Sequence, residues 1–320
     1  MIGSDKNGIT LALLVPCYNA ENYLEEFISN LHNLTEPFDE VIFYDDGSND
    51  STYKVLLKHE VKYITSKVNN GPSYARNRLA EASKCKYIHF HDVDDTLIKD
   101  YVSVFKQKII KENADVILGN ADWIDKISKK TLIKWEYDID ELQKDPLAYF
   151  LTHPLGIINT VYKKKSFMLI KGFDQTQRCW EDADLNTRIS AELTRFSFIN
   201  KTVAYSLRHD LGISQNQANC WNCRIFFLIN YYQNFQSRYH NIIISEISKS
   251  AWNLFELGDK KSLSKVVNLA QTFGIYLPVN KNPIIKFLKI FKIRGIILFK
   301  IHGLALRALS YLRFKNVTNR

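Results

Sequence analysis

The first hundred residues show short apolar runs that alternate with segments of helical spacing. Four runs are typical of strands, at residues 9–15, 40–44, 61–65 and 87–91. Between them, apolar side chains recur three or four residues apart, as at Leu24, Phe27, Ile28 and Leu31, which is the spacing of one helix face. Strands that alternate with helices in this way predict a parallel sheet with right-handed crossovers.

The remainder of the chain has a weaker pattern. It predicts strands at 116–119 and 160–164, helices at about 142–151 and 181–193, and two or three aromatic-rich helices within 217–275. We therefore expect an α/β fold, with a mostly parallel sheet flanked by helices, followed by a helical C-terminal region.

The positive charge of the chain is concentrated at its end. Of a formal net charge of +9, ten Lys and Arg residues lie in 281–320, which has no Asp or Glu, so residues 1–280 are nearly neutral. The basic charge therefore gives no indication of nucleic acid binding by the body of the chain, and no nucleic-acid partner is expected. In 281–320 most basic residues share one helical arc, and Ile, Leu and Phe fill the rest. This tail therefore predicts a basic amphipathic helix on an anionic membrane surface, with an ordinary packing helix as the alternative.

Three carboxylates follow the fourth predicted strand, at Asp92, Asp94 and Asp95. Like charges at one strand tip repel each other, and such a cluster is typical of a site that holds a cation or a catalytic proton. Ligands of open α/β sheets bind outside the carboxyl ends of the strands. The cluster therefore predicts a divalent-metal and phosphate site, although a solvated acidic turn is possible.

Residues 92–97 also match the D-x-D-x-T-L signature of haloacid-dehalogenase-type phosphatases, in which the first Asp is a nucleophile. Such enzymes carry the motif on their first strand and need a later strand that ends in Gly-Asp. Here the motif ends the fourth strand, and the later acidic cluster follows Arg178-Cys179-Trp180. The context disfavours the phosphatase.

Six segments, taken in order, resemble motifs of family 2 glycosyltransferases of the GT-A fold. They are residues 15–24, 41–52, 69–77, 90–95, 172–174 and 180–188. The resemblance covers about residues 9–215. It implies a GT-A-like catalytic domain over 1–215, with a nucleotide-sugar half at about 1–100 and an acceptor half at 101–215. A helical region at 216–280 and the tail at 281–320 would follow.

The resemblance implies a set of donor-binding residues: Pro16, Tyr18, Asp45, Asn70, Arg76, Asp92 and Arg208. Asp45 would accept a hydrogen bond from a ring N–H of the nucleobase, and a carboxylate, which only accepts, suits an imide N–H. The alternatives are a helix-capping role for Asp45 and a surface position for Arg76.

The resemblance also implies a metal site. Asp92 and Asp94 form the D-x-D pair for Mn²⁺ or Mg²⁺, with Asp94 as the direct ligand and Asp92 reaching the ribose or a metal-bound water. His209 would contact the diphosphate or the metal. A hard cation of this kind takes carboxylate oxygens and leaves positions open for phosphate oxygens.

For catalysis, the resemblance makes Asp182 the general base that takes a proton from the acceptor hydroxyl, and Glu181 a positioning group. One-step attack by that hydroxyl inverts the anomeric centre. The alternative is that both acids only complement the dipole at a helix start.

The implied function is inverting transfer of a hexosyl or N-acetylhexosaminyl group from a nucleotide sugar, with UDP as the expected carrier. The acceptor would be a hydroxyl of a glycan or lipid-linked molecule, for example in capsule or lipopolysaccharide assembly. With a polar N-terminus and no long apolar run, the expected location is cytoplasmic, peripheral on the inner membrane through the tail. A metal-dependent phosphatase and a non-catalytic glycan-binding protein are the alternatives.

Overall fold

The structure, a computed structural model, describes residues 8–154, 156–192, 194–208 and 216–275, together with residues 277 and 297 and only the backbone of Arg208. The chain divides into two compact units, residues 1–212 and 213–320. The tail proposed for membrane binding lies outside the described residues, apart from Ile297.

The described part of the first unit contains one sheet of nine strands. In chain order the strands are β1 (Leu11–Cys17), β2 (Glu40–Asp46), β3 (Tyr63–Ser66), β4 (Tyr87–Phe90), β5 (Thr96–Leu97), β6 (Val116–Asp125), β7 (Thr131–Trp135), β8 (Thr160–Lys163) and β9 (Phe196–Arg208). Their spatial order is β3-β2-β1-β4-β8-β6-β9-β5, and β7 pairs with β6. Strands β3, β2, β1 and β4 run parallel, which confirms the four-strand prediction, whereas β8 is antiparallel to both of its neighbours.

Helices cover both faces of this sheet. They are α1 (Glu21–Leu31), α2 (Thr52–Lys58), α3 (Pro72–Ala82), α4 (Tyr101–Glu112), α5 (Ile139–Lys144), α6 (Pro146–Thr152), α7 (Lys164–Leu169) and α8 (Glu181–Ala191). The single helix predicted over 142–151 is two helices. Asp145 separates them because its carboxylate caps α6 by accepting from the N–H of Ala148, and Pro146 has no N–H with which to continue α5.

Strand β1 explains how the two faces are filled. Leu11, Leu13 and Val15 pack into the apolar cluster that includes α1 and α4, and Ala12 and Leu14 pack into the cluster that includes α3 and α7. All five side chains are fully buried. A strand covered on both faces must be apolar at successive positions, which accounts for the unbroken run in the sequence. Each such Leu contributes about 1.5–3 kcal/mol through burial.

The second half of the sheet differs from the prediction. Strand β6 continues to Asp125 rather than ending at 119, and β7 and β9 have no counterpart among the predicted strands. Four of the five β7 residues are exposed, so this strand has no apolar alternation to detect. Strand β9 pairs with β6 through register shifts near Gly119 and Asn120, which interrupt the strand periodicity.

The described residues of the second unit form three helices and a short 3₁₀ turn, which confirms the prediction of two or three helices. They are α9 (Gln217–Asn234), the turn Ser237–Tyr239, α10 (His240–Glu256) and α11 (Lys260–Thr272). A buried ion pair joins Arg224 Nη2 to Glu246 Oε2 at 3.1 Å between α9 and α10. Among the helices that the structure describes, none combines the length and the apolar character needed to span a bilayer.

Candidate active site

Three parallel strands bring their carboxyl ends to one edge of the sheet. Cys17 at the end of β1 lies in register with Asp45 near the end of β2, and β4, on the other side of β1, leads into Asp92. The polar residues that follow these strands therefore lie on neighbouring loops, as the sequence predicted. Of the predicted donor contacts on this edge, Pro16 lies within β1, and Tyr18, just beyond its end, is exposed.

The loops after β1 and β2 are bonded to each other. The backbone N–H of Asn19 donates to Ser48 Oγ at 2.9 Å, and the N–H of Asn49 donates to Asn19 Oδ1 at 2.9 Å. Asp45 is buried, and its Oδ1 accepts from the N–H of Ser48 at 3.0 Å. Asp45 thus folds its own turn, and it lies beside the loop that carries Tyr18.

The neighbouring carboxylate, Asp46, stabilises the loop before α3. Its oxygens accept from the backbone N–H groups of Asn70, at 3.0 Å, and Gly71, at 2.6 Å. The Asn70 amide Nδ2 donates to Ser66 Oγ and to the carbonyl of Val68. The amide N–H groups of Asn70 therefore hold the turn itself, and its predicted contact with the donor stays a prediction.

Arg76 of α3 is buried and lies between two acidic residues. Its Nη2 donates to Asp92 Oδ1 at 2.8 Å, and its Nη1 donates to Glu181 Oε1 at 2.8 Å. The guanidinium also lies over the ring of Phe173, 5.5 Å from its centre. Burial opposes the charge of Arg76, but Asp92 and Glu181 outweigh that effect and raise its pKa above the ordinary value. The alternative of a surface arginine is therefore wrong.

The acidic cluster after β4 has members in different environments. The side chain of Asp92 is 38% exposed, and Asp94 is also partly exposed. Asp95 is instead tied to β9, because its Oδ1 accepts from the N–H of Leu207 at 3.0 Å. Burial, followed by repulsion from Asp92 and Asp94, raises the pKa of Asp95 well above the usual range. Asp95, to which the sequence assigned no role, thus joins the acidic loop to the end of β9.

That bond also places two other predicted residues. Arg208 is the last residue of β9 and follows Leu207, so its backbone lies next to the acidic loop. The side chain of Arg208 and the whole of His209 lie outside the described residues, so their donor-binding and metal-binding roles stay predictions.

The two histidines of the fourth strand region are packed in the core. His89 and His91 are fully buried, and Phe27 stacks on the ring of His91 with centroids 5.7 Å apart. Burial lowers the pKa of His91 to about 4 and that of His89 well below its usual value, so both are neutral at pH 7. Both histidines are therefore packing residues of the core.

Helix α8 begins with the pair Glu181 and Asp182, directly after Trp180 in the left-handed region with φ 63°. Glu181 faces Arg76. The Asp182 Oδ1 accepts from the N–H of Ala183 at 2.7 Å. Burial and then the Glu181 carboxylate raise the pKa of Asp182 to about 7. A carboxylate with a pKa near neutrality can accept a proton from a substrate and release it again, as a general base requires.

The surroundings of Asp182 include residues that the sequence did not indicate. Gly156 lies next to it, Trp135 packs against Gly156, and the hydroxyl of Tyr137 accepts from Asn159 Nδ2 at 2.5 Å. Trp135 ends a strand that the apolar pattern missed. The only signal in the sequence was the density of aromatic residues near 135, which by itself predicts packing as readily as binding.

A divalent cation at the acidic loop would use Asp92 and Asp94. Oxygen ligands of this type suit Mn²⁺ or Mg²⁺. The pKa of Asp95 is raised first by burial and then by repulsion from Asp92 and Asp94, so this loop carries concentrated negative charge. Within the described part of the chain, no group of three or more His, Cys, Asp or Glu side chains could hold a metal ion. A site that combines one or two carboxylates with substrate phosphates does not require such a group. The residues present fit a cation that binds together with a diphosphate.

Comparisons with known proteins identify the family of the chain. Residues 12–169, about half of the chain, match the family model described as glycosyl transferase family 2. Glycosyltransferase GlyA of Streptococcus pneumoniae is 32% identical over 115 residues, which are 34% of this chain and 16% of that protein. The putative teichuronic acid biosynthesis glycosyltransferase TuaG of Bacillus subtilis is 30% identical over 95 residues, which are 28% of this chain and 38% of that protein.

The fold also has solved counterparts. The crystal structure of S. aureus TarS 1–349 in complex with UDP-GlcNAc superposes with a TM-score of 0.62, at 16% identity, and covers 81% of this chain and 80% of that chain. This likeness shows a GT-A fold. The similarity in sequence to the curated relatives is confined to a smaller part of their length, well under half for GlyA and TuaG.

Proposed function

Because the chain belongs to glycosyl transferase family 2 and has the GT-A fold, we propose that it transfers a sugar from a nucleotide sugar to a hydroxyl group, with inversion at the anomeric carbon. One observation carries the proposal most directly. Arg76 contacts both Asp92, in the loop expected to bind the donor, and Glu181, next to the expected base Asp182. The residues for donor binding and for proton transfer therefore belong to one cluster.

The donor in this proposal is a UDP-sugar. Asp45 accepts from the imide N–H of uracil, beside backbone of Pro16 and Tyr18, since the carboxylate lies at the end of β2 next to the β1 loop. The TarS structures in complex with UDP-GlcNAc and with UDP support the same donor class for this fold. Arg208 and Asn70 complete the proposed donor contacts.

Asp92 and Asp94 would hold Mn²⁺ or Mg²⁺ together with the donor diphosphate. When bound, such a cation offsets the negative charge that develops on the departing nucleoside diphosphate. Arg76 holds Asp92 from behind, with the guanidinium buried and the carboxylate partly exposed. A fixed ion pair thus orients a carboxylate that stays partly open to solvent.

Asp182 acts as the base. Its carboxylate takes the proton from the acceptor O–H, the acceptor oxygen forms the new bond to the anomeric carbon, and the bond from that carbon to the phosphate oxygen breaks with its electron pair. The product is the glycoside, with UDP as the leaving group. Glu181 raises the basicity of Asp182 by repulsion, while its own charge is balanced by Arg76.

The names of two relatives support a class of acceptor. TuaG is described as a putative teichuronic acid biosynthesis glycosyltransferase, and a further relative, from Staphylococcus epidermidis, as a poly-β-1,6-N-acetyl-D-glucosamine synthase. We propose a growing surface glycan or its lipid-linked form as acceptor, with the basic tail of 281–320 binding the anionic cytoplasmic leaflet of the membrane. A salt-sensitive association of the full chain with anionic vesicles, lost on truncation at residue 280, would test the tail.

The enzymatic proposal is tested with purified protein and a panel of UDP-, GDP- and dTDP-sugars in the presence of Mn²⁺, with release of the nucleoside diphosphate as the readout. We expect turnover with a UDP-sugar and none with para-nitrophenyl phosphate. Release of inorganic phosphate from that monoester, with no nucleotide-sugar turnover, would instead support the phosphatase alternative.

A further inference from the structure

The space beside Asp182 is kept open by a glycine. A Cβ atom at Gly156 would lie 3.8 Å from Asp182 Oδ2, and on its other side 3.1 Å from Cζ3 and 3.2 Å from Cη2 of Trp135. Gly156 is not among the glycines with positive φ, so its backbone conformation does not call for glycine. What the position requires is the absence of a side chain, because a side chain there would press on the indole ring next to the base.

Trp135 itself is held in a defined orientation. It ends β7 opposite Ala121 of β6, and its ring meets Trp123 edge to face, with centroids 5.6 Å apart and planes at 88°. It is the one β7 residue that is not fully exposed, and it packs against buried residues on both faces of the sheet. A rigid indole therefore lies beside the carboxylate, partly exposed to solvent.

We propose that Trp135 is the platform on which the acceptor sugar stacks. The inference rests on the proposed glycosyl transfer and specifies its acceptor side. One face of a pyranose ring presents C–H groups, which pack on the apolar face of an indole, whereas its hydroxyls point outward around the ring. A sugar stacked on Trp135 places an equatorial hydroxyl toward Asp182. Such positioning brings the hydroxyl within hydrogen-bond reach of the base, as proton transfer requires.

Gly156 has a role in the same subsite. Because it has no side chain, Trp135 and Asp182 both border the position that a Cβ atom there would occupy. Trp123 supports the indole from β6, so the platform belongs to the β6–β7 hairpin rather than to a loop. The acceptor subsite is thus formed by a segment that lies apart from the donor-binding loops on the edge of β1, β2 and β4.

The test compares Trp135→Ala and Trp135→Phe with the control Leu132→Ala, which lies on the same strand and is 54% exposed. Initial rates of UDP release are measured from the best UDP-sugar. They are taken without acceptor, where water is the acceptor, and with free hexoses, N-acetylhexosamines and their para-nitrophenyl glycosides.

We expect Trp135→Ala to raise the KM for the stimulating saccharide about tenfold or more, a larger change than in its rate of donor hydrolysis. The saccharide KM of Trp135→Phe should lie between those of the wild type and Trp135→Ala, because a phenyl ring retains part of the stacking surface. Leu132→Ala should match the wild type. Gly156→Ala, whose methyl group would lie between the indole and Asp182, should raise the saccharide KM in the same direction without removing a ring.

Three outcomes would overturn the inference: an unchanged saccharide KM in Trp135→Ala and Gly156→Ala, an equal loss of hydrolysis and of saccharide-dependent transfer, or a wild type that no saccharide of the panel stimulates. The second outcome would mean that Trp135 supports only the fold. A wild type that neither hydrolyses nor transfers any nucleotide sugar contradicts the proposed function itself, so the two failures are distinguishable.

Discussion

Arg76 and Asp92 form an ion pair of 2.8 Å in which the arginine side chain is 5% exposed and the carboxylate is 38% exposed. The guanidinium is enclosed by protein, while the carboxylate is partly open to solvent. The same guanidinium bonds to Glu181 with equal length. One buried cation therefore fixes both an acidic loop residue and the start of helix α8.

The first prediction concerns the guanidinium group of Arg76. Arg76→Ala leaves two acidic side chains without their partner. Breaking a fully buried ion pair costs roughly 3–5 kcal/mol, and solvent around the 38% exposed Asp92 reduces the cost here to about 2–3 kcal/mol. We expect a loss of that order in the free energy of unfolding, measured by urea denaturation, with donor binding lost as well. Arg76→Lys should be intermediate, since a single ammonium cannot hold both carboxylates as the planar guanidinium does.

Arg78 on the same helix is the matched control. It pairs with Glu81 on the surface, and its side chain is 40% exposed, so Arg78→Ala should cost at most about 1 kcal/mol. Equal destabilisation by the two substitutions would contradict the special role of Arg76.

The second prediction concerns the base. Asp182→Asn keeps the shape of the side chain but removes its ability to accept a proton, so kcat should fall about 10²- to 10⁴-fold. Donor affinity, measured by calorimetry with UDP, should stay within about threefold. Glu192→Gln at the other end of α8 is exposed and serves as the control. Near-normal turnover of the Asn variant would show that another group takes the proton.

The third prediction concerns pH. The pKa of Asp182 is raised to about 7, and the base must be ionised to act, so kcat/KM should rise with pH through about 7 and level off above it. Wild-type activity already maximal at pH 5 would argue against this base.

The raised pKa of Asp182 also makes the free energy of unfolding depend on pH, and this free energy falls with pH where activity rises. A carboxyl group whose pKa is raised in the folded state stabilises the folded protein when it is protonated. This contribution is complete below the pKa of the unfolded state, about 3.9, and is lost as the pH rises through 7. We therefore expect the unfolding free energy of the wild type, relative to Asp182→Asn, to decrease between pH 5 and pH 8. Urea denaturation of both proteins at the two pH values measures the difference.

The fourth prediction separates two adjacent carboxylates. Asp46 accepts two backbone N–H groups of the loop at 70–71, so Asp46→Ala should cost about 1–3 kcal/mol of stability by leaving buried donors unpaired. Asp45→Asn should instead lower UDP affinity, because an amide can present an N–H where the uracil imide N–H needs an acceptor. Thermal unfolding and UDP titration of both variants distinguish the two roles. Loss of stability without loss of affinity in Asp45→Asn would make it a turn residue only.

The fifth prediction concerns the metal. EDTA should abolish donor binding and turnover, and Mn²⁺ or Mg²⁺ should restore both. Asp94→Ala should require much more Mn²⁺ for half-maximal activity while the protein remains folded. Full activity in EDTA would remove the metal role from Asp92 and Asp94.

Much of the donor side of this protein was predictable because its signals are local. The apolar runs of β1, β2 and β4 set the strands, and their parallel arrangement places Asp45 and Asp92 on the same edge. The acidic pair at the start of α8 was equally visible. Strand β7 was not predicted, because four of its five residues are exposed and it lacks the alternation of apolar and polar residues that a half-buried strand shows.

The sequence by itself determined which strands are buried on both faces and which polar residues follow them, since burial imposes a pattern on neighbouring residues. Only the tertiary structure decided that Arg76 is buried between Asp92 and Glu181, that Asp95 bonds to β9, and that Trp135 lies beside Asp182 across Gly156. The bond from Arg76 to Glu181 spans 105 positions, and the bond from Asp95 to Leu207 spans 112. No local periodicity encodes such a pairing, because it arises when separate elements pack on a common sheet.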